Sequence, residues 1–445
     1  MPVEHWMMFG TFAEQRYFEY PELGTYQGII INANMVAHAP AGLASFLLEK
    51  TAGQSKYMVD PLTHAFQHDP SLISNSEGEP KSSIKGLAEE YGEPFCSLVG
   101  QRPILPADFA NTEIFQEFIE KCIRFQRDHL RDYMKKSDAA KYLEEIEIKP
   151  PDAVIAPYFY LTETTLDHWL DINIRSVQLA SSLIGARNGL KLFAAVVVSQ
   201  GIIVEEALRK RVVQTFHGSG VKIDGFLLWV DNLDEQLASG AELRGMLELA
   251  QGLRNAGKYK VINLHGGYFS ILAGGAPGDG AFSGVTHGPE FGESRSVVPV
   301  GGGIPIARYY IPQLHARVRY PDALRIISRS GWLKDVSSFH SNVCDCDKCK
   351  EIMESDPANF QKFGESNVRN VRRKHGIIRI EFPTGDAKIR CLCHYLQRKK
   401  REYDDSSNAP KDTLLGELEI GEEKFRQEAG LEGVAHLHQW RKILQ

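Results

Sequence analysis

Residues 192–200 read LFAAVVVSQ and residues 225–231 read GFLLWVD, two short apolar runs that each end on a polar side chain. Runs that are apolar at nearly every position fit strands buried on both faces of a parallel sheet. Six further runs of this character lie at residues 28–36, 55–60, 153–161, 260–267, 282–288 and 323–328. Apolar residues at helical spacing occupy the intervening segments 111–136, 205–216 and 240–255.

The alternation of about eight such runs with helical segments predicts the fold class α/β, as a (β/α)8 TIM barrel. A doubly wound open sheet is the alternative for the same alternation. No G-x-G-x-x-G phosphate loop follows any of the runs, and this favours the barrel.

The composition is that of a globular protein, with 43% hydrophobic and 24% charged residues and a formal net charge of −6. No apolar run reaches the length of a membrane span, so no membrane partner is expected. The first residues carry acids and no clean apolar block, which argues against a signal peptide. We therefore expect a cytoplasmic protein without structural disulfides.

Three cysteines, Cys344, Cys346 and Cys349, form a C-x-C-x-x-C triplet. Thiolates at this spacing suit tetrahedral Zn²⁺ in a structural site. The fourth ligand is left open between His375, which follows after 25 residues, and His394, which follows after 44. We favour His394 because it starts a helix-like segment. The predicted organisation is a catalytic barrel over 1–334 with an insertion at 67–107, a zinc-binding subdomain over 335–402 and a C-terminal helical tail over 403–445.

Basic residues concentrate around this triplet. From Cys344 to Arg401 the chain has 14 Lys and Arg against 8 Asp and Glu. Two clusters stand out, at 372–375 and 398–401, and such clusters can neutralise phosphates. A solvated helix face is the competing interpretation. The residues predicted to contact a nucleic-acid backbone are Arg372, Arg373, Lys374, Arg398 and Lys399.

Polar residues at the ends of the predicted strands are the candidates for chemistry, because a TIM barrel carries its site at the carboxyl ends of its strands. Asp60 and Asp231 each end such a run. Two carboxylates that face one pocket permit a double displacement at a sugar carbon. Gln200 can read the edge of a base, and Trp229 and Tyr268 can stack on it. Turn or helix-capping roles for the aspartates, and core roles for the aromatic residues, are the alternatives.

The cysteine triplet resembles the zinc motif of tRNA-guanine transglycosylases, which are zinc-bearing (β/α)8 barrels. Val198–Gly201, which reads VSQG, is similar to the base-recognising V-Q-G-G strand end of that family. Val59–Pro61, followed by Phe66 and Gln67, is similar to its T-D-S-G-G-F-Q segment, whose aspartate is one of the two catalytic carboxylates. The resemblance spans roughly residues 28–402, and the cysteine triplet is its strongest motif.

The chain departs from this pattern at several places. The guanine-binding L-A-V-G-E segment is replaced by LWVDNLDE at 228–235, and the strand that carries the family's nucleophilic aspartate is matched by GAFSGV at 280–285. Ser283 takes the place of that nucleophile, and Asp279 just before it is the reserve. The D-P-x-T segment at Asp60 and the stretch His394–Glu402 resemble the DNA-guanine transglycosylases, which insert 7-deazaguanine derivatives into DNA.

The resemblance implies exchange of guanine in DNA for a 7-deazaguanine base such as 7-cyano-7-deazaguanine, through an aspartyl-glycosyl intermediate. A tRNA-guanine transglycosylase and a catalytically silent nucleic-acid-binding relative are the alternatives. The expected partners are DNA, with tRNA as the alternative, the deazaguanine base, and either a second copy of the chain or partner modification proteins. Asp60 is expected to manage protons, Asp231 to be the nucleophile, and Gln200 and the Gly201 amide to bind the base.

Overall fold

The computed structural model describes residues 2–24, 26–51, 56–136, 138, 149–185, 189–275, 280–290, 292–298, 306–373 and 376–445. The chain divides into two compact units. The first comprises residues 1–16 and 26–300, and the second comprises residues 17–25 and 301–445. The boundary at 300 precedes the predicted one at 334, because the residues after 305 pack with the later helices. Among the described helices, none combines the length and apolar character needed to cross a membrane.

The first unit is a nearly closed barrel of eight parallel strands within its described residues. Its strands are β1 Glu4–Phe9, β2 Gly28–Asn32, β3 Lys56–Asp60, β4 Ala153–Ile155, β5 Lys191–Val198, β6 Gly225–Val230, β7 Lys260–Asn263 and β8 Gly284–His287. The order around the sheet is β3-β2-β1-β8-β7-β6-β5-β4. The backbone N–H of Asp152, just before β4, donates to the carbonyl of Tyr57 in β3 at 2.9 Å and draws the two ends of the sheet together. The fold-class prediction is confirmed.

The interior of the barrel is filled with side chains, as the fold requires. Inward-facing residues recur at every second position, which is the strand period. Examples are Trp6 and Met8 in β1, and Phe193, Ala195 and Val197 in β5. The α-helices of this unit are Ala33–His38, Pro40–Thr51, Pro70–Ile73, Ser82–Tyr91, Phe95–Leu98, Thr112–Arg124, Leu130–Lys136, Leu166–Ile184, Gln200–Val204, Glu206–Gly218, Gly240–Arg254 and Tyr268–Gly274.

The strand predicted at 323–328 is wrong. These residues lie in the helix Tyr320–Arg329, where Pro321 occupies the first turn and a strongly amphipathic pattern follows. The strand that completes the barrel is instead β1, EHWMMF, which the sequence analysis missed. The insertion at 67–107 contains three of the helices above and buries Leu87, Tyr91 and Phe95.

The second unit contains two antiparallel strand pairs and five α-helices among its described residues, besides short 3-10 helices. The pairs are β9 Arg308–Ile311 with β10 Ala316–Arg319, and β11 Ser366–Arg373 with β12 Gly376–Pro383. The helices are Tyr320–Arg329, Val336–Asn342, Asp347–Met353, Gly385–Asn408 and Lys411–Leu444. The last of these is interrupted at Gly430, whose φ of 77° is not helical.

Candidate functional site

Asp60 closes β3 and points into the carboxyl end of the barrel. Its side chain is buried, and Oδ1 accepts hydrogen bonds from the Tyr158 hydroxyl at 2.7 Å and from the Leu62 N–H at 3.1 Å. Burial raises the pKa of Asp60, and the two hydrogen bonds and the charge of Arg295 act in the opposite direction. A raised pKa brings a carboxyl closer to the pH at which an enzyme works, which suits a general acid and base.

Asp231 follows β6 and is held at both oxygens. Oδ2 accepts from the Tyr160 hydroxyl at 2.8 Å, and Oδ1 accepts from the backbone N–H of Val297 at 2.7 Å. Burial, together with this aspartate, raises the pKa of Tyr160, so the phenol stays protonated and donates. These two donors orient the carboxylate.

The two aspartates are connected through one short segment after β4. Tyr158 and Tyr160 alternate with Phe159, which packs away from the barrel interior against Trp169 with ring centres 4.5 Å apart. One tyrosine binds Asp60 and the other binds Asp231. The same segment thereby supports both carboxyl groups at the carboxyl end of the barrel.

Two buried histidines flank Trp229 at the same end. The ring centres of His64 and His265 lie 5.2 and 4.9 Å from that of Trp229, both edge to face. Burial lowers the pKa of His64 well below its usual range and that of His265 to about 3, so both rings are neutral. His265 Nδ1–H donates to the carbonyl of Gly292 at 3.0 Å, which leaves Nε2 as an acceptor.

Three polar atoms around this mouth have no hydrogen-bond partner among the described residues. They are His265 Nε2, His64 Nδ1 and the Asn32 Oδ1 at the end of β2. A buried polar atom without a partner costs about 1–3 kcal/mol, so such atoms mark places where a ligand or water is accommodated. His265 stands at the end of a predicted strand, where a polar residue is a candidate for chemistry, but no sequence pattern marks an unsatisfied atom.

Residues 292–298, here called the mouth segment, lie across these groups. Val297 is buried in the barrel core. Five hydrogen bonds hold the backbone of this segment. His265 Nδ1 donates to Gly292 O at 3.0 Å, and Trp229 Nε1 and Asn232 N donate to Arg295 O at 3.1 and 2.9 Å. Val297 N donates to Asp231 Oδ1 at 2.7 Å, and His68 Nε2 donates to Val297 O at 3.2 Å.

The predicted base-binding residues are distributed around this arrangement. Gln200 Nε2 donates to the carbonyls of Asp231 and Asn232, both at 3.1 Å, so the amide lies beside the candidate nucleophile. A Cβ on Gly201 would lie 1.4 Å from the Glu163 carboxylate, so the glycine permits that close approach. Trp229 lies in the barrel core, and Tyr268 is buried at the start of its helix.

The segment matched to the family's nucleophilic strand lies at the other end of the barrel. β8 begins at Gly284, and Ser283 precedes it. The Ser283 carbonyl accepts from the N–H of Glu4, and its hydroxyl accepts from the N–H of Val261 at 3.4 Å. Both partners lie at the amino ends of their strands, so Ser283 is remote from the carboxyl-end mouth. Asp279, the reserve nucleophile, lies outside the described residues.

The second unit brings the cysteine triplet together with His394. The four ligand atoms all lie within 4.8 Å of one another, and His394 Nδ1 is 3.7, 3.3 and 3.4 Å from the sulfurs of Cys344, Cys346 and Cys349. A tetrahedral ion about 2.3 Å from sulfur and about 2.1 Å from nitrogen would hold such pairs about 3.6 Å apart. The group fits a metal ion. His375, the alternative ligand, lies outside the described residues.

The surroundings of His394 fix its orientation. Nε2–H donates to the carbonyl of Tyr310 at 2.6 Å, which leaves Nδ1 facing the sulfurs. The ring of Tyr309 stacks on the imidazole at 4.3 Å, and its hydroxyl lies 3.2 Å from the Cys349 sulfur. A carbonyl partner on the second ring nitrogen is the usual support for a metal-bound histidine.

One of the predicted phosphate contacts does not fit the structure. Lys399 is buried on the helix Gly385–Asn408 and pairs with Glu402 at 2.7 Å, with its ammonium over the rings of Tyr310 and Tyr395. Arg398 is largely covered, with 15% of its side chain exposed. Arg372 and Arg373 lie on β11, and Lys374 lies outside the described residues.

Glu402→Gln should destabilise the protein by about 3–5 kcal/mol, because it removes the carboxylate that neutralises the buried Lys399 ammonium. Burial alone would raise the pKa of Glu402, but Lys399 and His315 outweigh it and hold the pKa at about 2. Because this pKa is depressed, the stabilisation is present above the unfolded value of about 4.3 and is lost as pH falls towards 2. Urea unfolding at pH 7 and pH 3 measures both effects.

The matched control is Glu206→Gln, which removes an exposed pair with Lys210 and should leave the unfolding midpoint unchanged. Equal unfolding of Glu402→Gln and the wild type at pH 7 would contradict a stabilising role for the buried pair.

Comparison with known proteins adds no family to these observations. No protein-family model matches the chain, and no curated protein shows a significant match to it.

Proposed function

We propose that this chain is a DNA-guanine transglycosylase, which exchanges guanine in DNA for a 7-deazaguanine base. The observation that carries the proposal is the pair of carboxyl groups, Asp60 and Asp231, supported by Tyr158 and Tyr160 at the carboxyl end of a parallel barrel. The cysteine triplet with His394 adds the second feature on which the resemblance to guanine transglycosylases rests.

The proposed reaction is a double displacement. Asp231 attacks the anomeric carbon of the nucleotide, its glycosidic C–N bond breaks, and guanine leaves with a proton supplied by Asp60. The incoming 7-deazaguanine then gives a proton to the Asp60 carboxylate as its ring nitrogen attacks the same carbon. The ester bond to Asp231 breaks, and both aspartates return to their initial states. The raised pKa of Asp60 suits a group that must serve as acid and then as base.

The base must leave the helical stack before it reaches a barrel mouth, so a flipped nucleotide is part of the proposal. Gln200, beside Asp231, is assigned to the base, as its counterpart in the family would be. The unpartnered atoms of His64 and His265 offer further hydrogen bonds to it.

Zinc is the proposed occupant of the Cys344, Cys346, Cys349 and His394 group. Three thiolates and an imidazole form a donor set that selects zinc over oxygen-seeking cations. All four positions of a tetrahedral ion are filled by protein atoms, so the ion would be structural. When bound, it would fix the loop that carries the triplet to the long helix.

A base-exchange assay tests the function. The protein is incubated with DNA or tRNA carrying labelled guanine, plus 7-cyano-7-deazaguanine. Release of label from DNA that depends on the deazaguanine is the expected result. Release from tRNA alone would establish the tRNA enzyme instead. Release from neither polymer would favour the silent nucleic-acid-binding relative.

A further inference from the structure

The antiparallel pair β11 and β12, here called the hairpin, is exposed over most of its described residues. Its strands pair over eight positions, from Ser366 opposite Pro383 to Arg373 opposite Gly376. Within the described residues, no third strand joins it. A two-stranded hairpin is marginally stable alone in water, so an element of this length that presents open faces is suited to a partner.

The register assigns the described side chains to two faces. Arg369, Val371, Ile378, Ile380 and Phe382 share one face, on which the Arg369 guanidinium lies 5.6 Å from the centre of the Phe382 ring. The opposite face carries Val368, Asn370, Ile377, Arg379 and Glu381, and all of these are exposed. Ile377 is 71% exposed and Val368 is 44% exposed. The second face therefore combines apolar, amide and cationic groups and the single carboxylate of Glu381 in the open.

The charge of the hairpin opposes that of the whole chain. Residues 366–383 contain five Lys and Arg against one acid, whereas the chain carries a net charge of −6. Among the described residues, neither Arg369 nor Arg379 has an ion-pair partner. Unpaired arginines beside exposed apolar side chains are complementary to a polyanion that also presents apolar groups.

We propose that the hairpin enters the major groove of B-form duplex DNA. The inference rests on the proposed function, in which DNA is the substrate, and it adds the element of the protein and the groove of the duplex that meet. That groove, about 12 Å wide, admits a two-stranded ribbon, in which arginine contacts guanine and apolar side chains contact thymine methyl groups. The major groove of A-form RNA is too deep and narrow to be read by side chains, so the hairpin favours duplex DNA over tRNA.

Fluorescence anisotropy of the full-length, metal-loaded protein tests this. The probes are a labelled duplex DNA, a single strand of the same length, and a tRNA. The variants are Arg369→Gln with Arg379→Gln, and Ile377→Ser, all at exposed positions. The control is Arg329→Gln, because Arg329 is an exposed arginine of the same unit that lies outside the hairpin, at the end of the helix Tyr320–Arg329.

The double arginine variant should weaken duplex binding about tenfold or more, and it should reduce the salt slope by about one for each lost phosphate contact. Ile377→Ser should weaken binding of the duplex and leave binding of the single strand and of the tRNA unchanged. Equal losses for duplex and tRNA would overturn the groove assignment, as would unchanged duplex binding. Binding of anionic phospholipid vesicles that Ile377→Ser abolishes would replace DNA by a membrane surface as the partner.

Base exchange, measured on the same samples, separates this inference from the proposed function. Hairpin-dependent duplex binding without exchange would retain the inference and refute the transglycosylase. Exchange in DNA with duplex binding that the hairpin variants leave unchanged would refute the inference and retain the transglycosylase.

Discussion

Asp231→Asn should lower base exchange by several orders of magnitude, because the amide cannot form the ester bond to the sugar. The substitution keeps the shape of the side chain, and its oxygen can still accept from the N–H of Val297. The fold should therefore persist. Exchange rates on labelled DNA, together with trapping of a covalent protein–DNA adduct by denaturing electrophoresis, measure the effect. No adduct should form.

Asp60→Asn should reduce exchange by a factor comparable to that of Asp231→Asn. The amide can neither give a proton to the departing guanine nor take one from the incoming base. The double variant should lose little more than either single variant, since the two groups act in one reaction. Asp167→Asn, at an exposed carboxylate paired with Arg211 on the helical surface, is the control and should retain full exchange. If Asp231→Asn keeps exchange while Asp279→Asn abolishes it, the nucleophile is Asp279.

Cys346→Ser should remove the metal and destabilise the second unit. Zinc binding to structural sites of this kind contributes about 10–16 kcal/mol of apparent folding free energy in small peptides, so its loss exceeds most single-residue effects. The purified wild type should contain about one zinc per chain by atomic emission, and the variant should contain none. Thermal unfolding should start at a lower temperature in the variant and in wild type treated with a chelator.

Cys96→Ser provides the matched control, because Cys96 is exposed and lies outside the ligand group. It should keep both the zinc content and the unfolding temperature of the wild type. A Cys346→Ser protein that unfolds like the wild type, or a wild type purified without metal and fully folded, would contradict a structural zinc.

The strand pattern was sufficient to predict the barrel, but it did not identify every strand. Continuous runs such as 192–200 carry enough β-branched and aromatic residues to specify a β-strand by themselves. β1 has no β-branched residue, and its pairing with β2 on one side and β8 on the other makes it a strand. Residues 323–328 show the converse, because an apolar run of six cannot be distinguished from the buried face of a helix without its flanking residues.

The metal group was predictable from spacing, yet the reason given for His394 was incomplete. His394 does not start a helix, since its helix begins nine residues earlier at Gly385. Burial against Tyr309 and the hydrogen bond to Tyr310 position it, and both depend on a strand pair far away in sequence. The links from Tyr158 to Asp60 and from Tyr160 to Asp231 are equally non-local, so sequence patterns suggested the aspartates without their supports.

The mouth segment has a consequence for affinity. Its peptide groups act as an internal ligand, because they occupy Asp231 Oδ1, Trp229 Nε1 and the N–H of Asn232. At about 1 kcal/mol for each of these bonds, a ligand that replaced all three peptide groups would give up about 3 kcal/mol of binding free energy. A free base would therefore bind weakly. A polymer that is also bound elsewhere on the protein would present its target nucleotide at a high effective concentration.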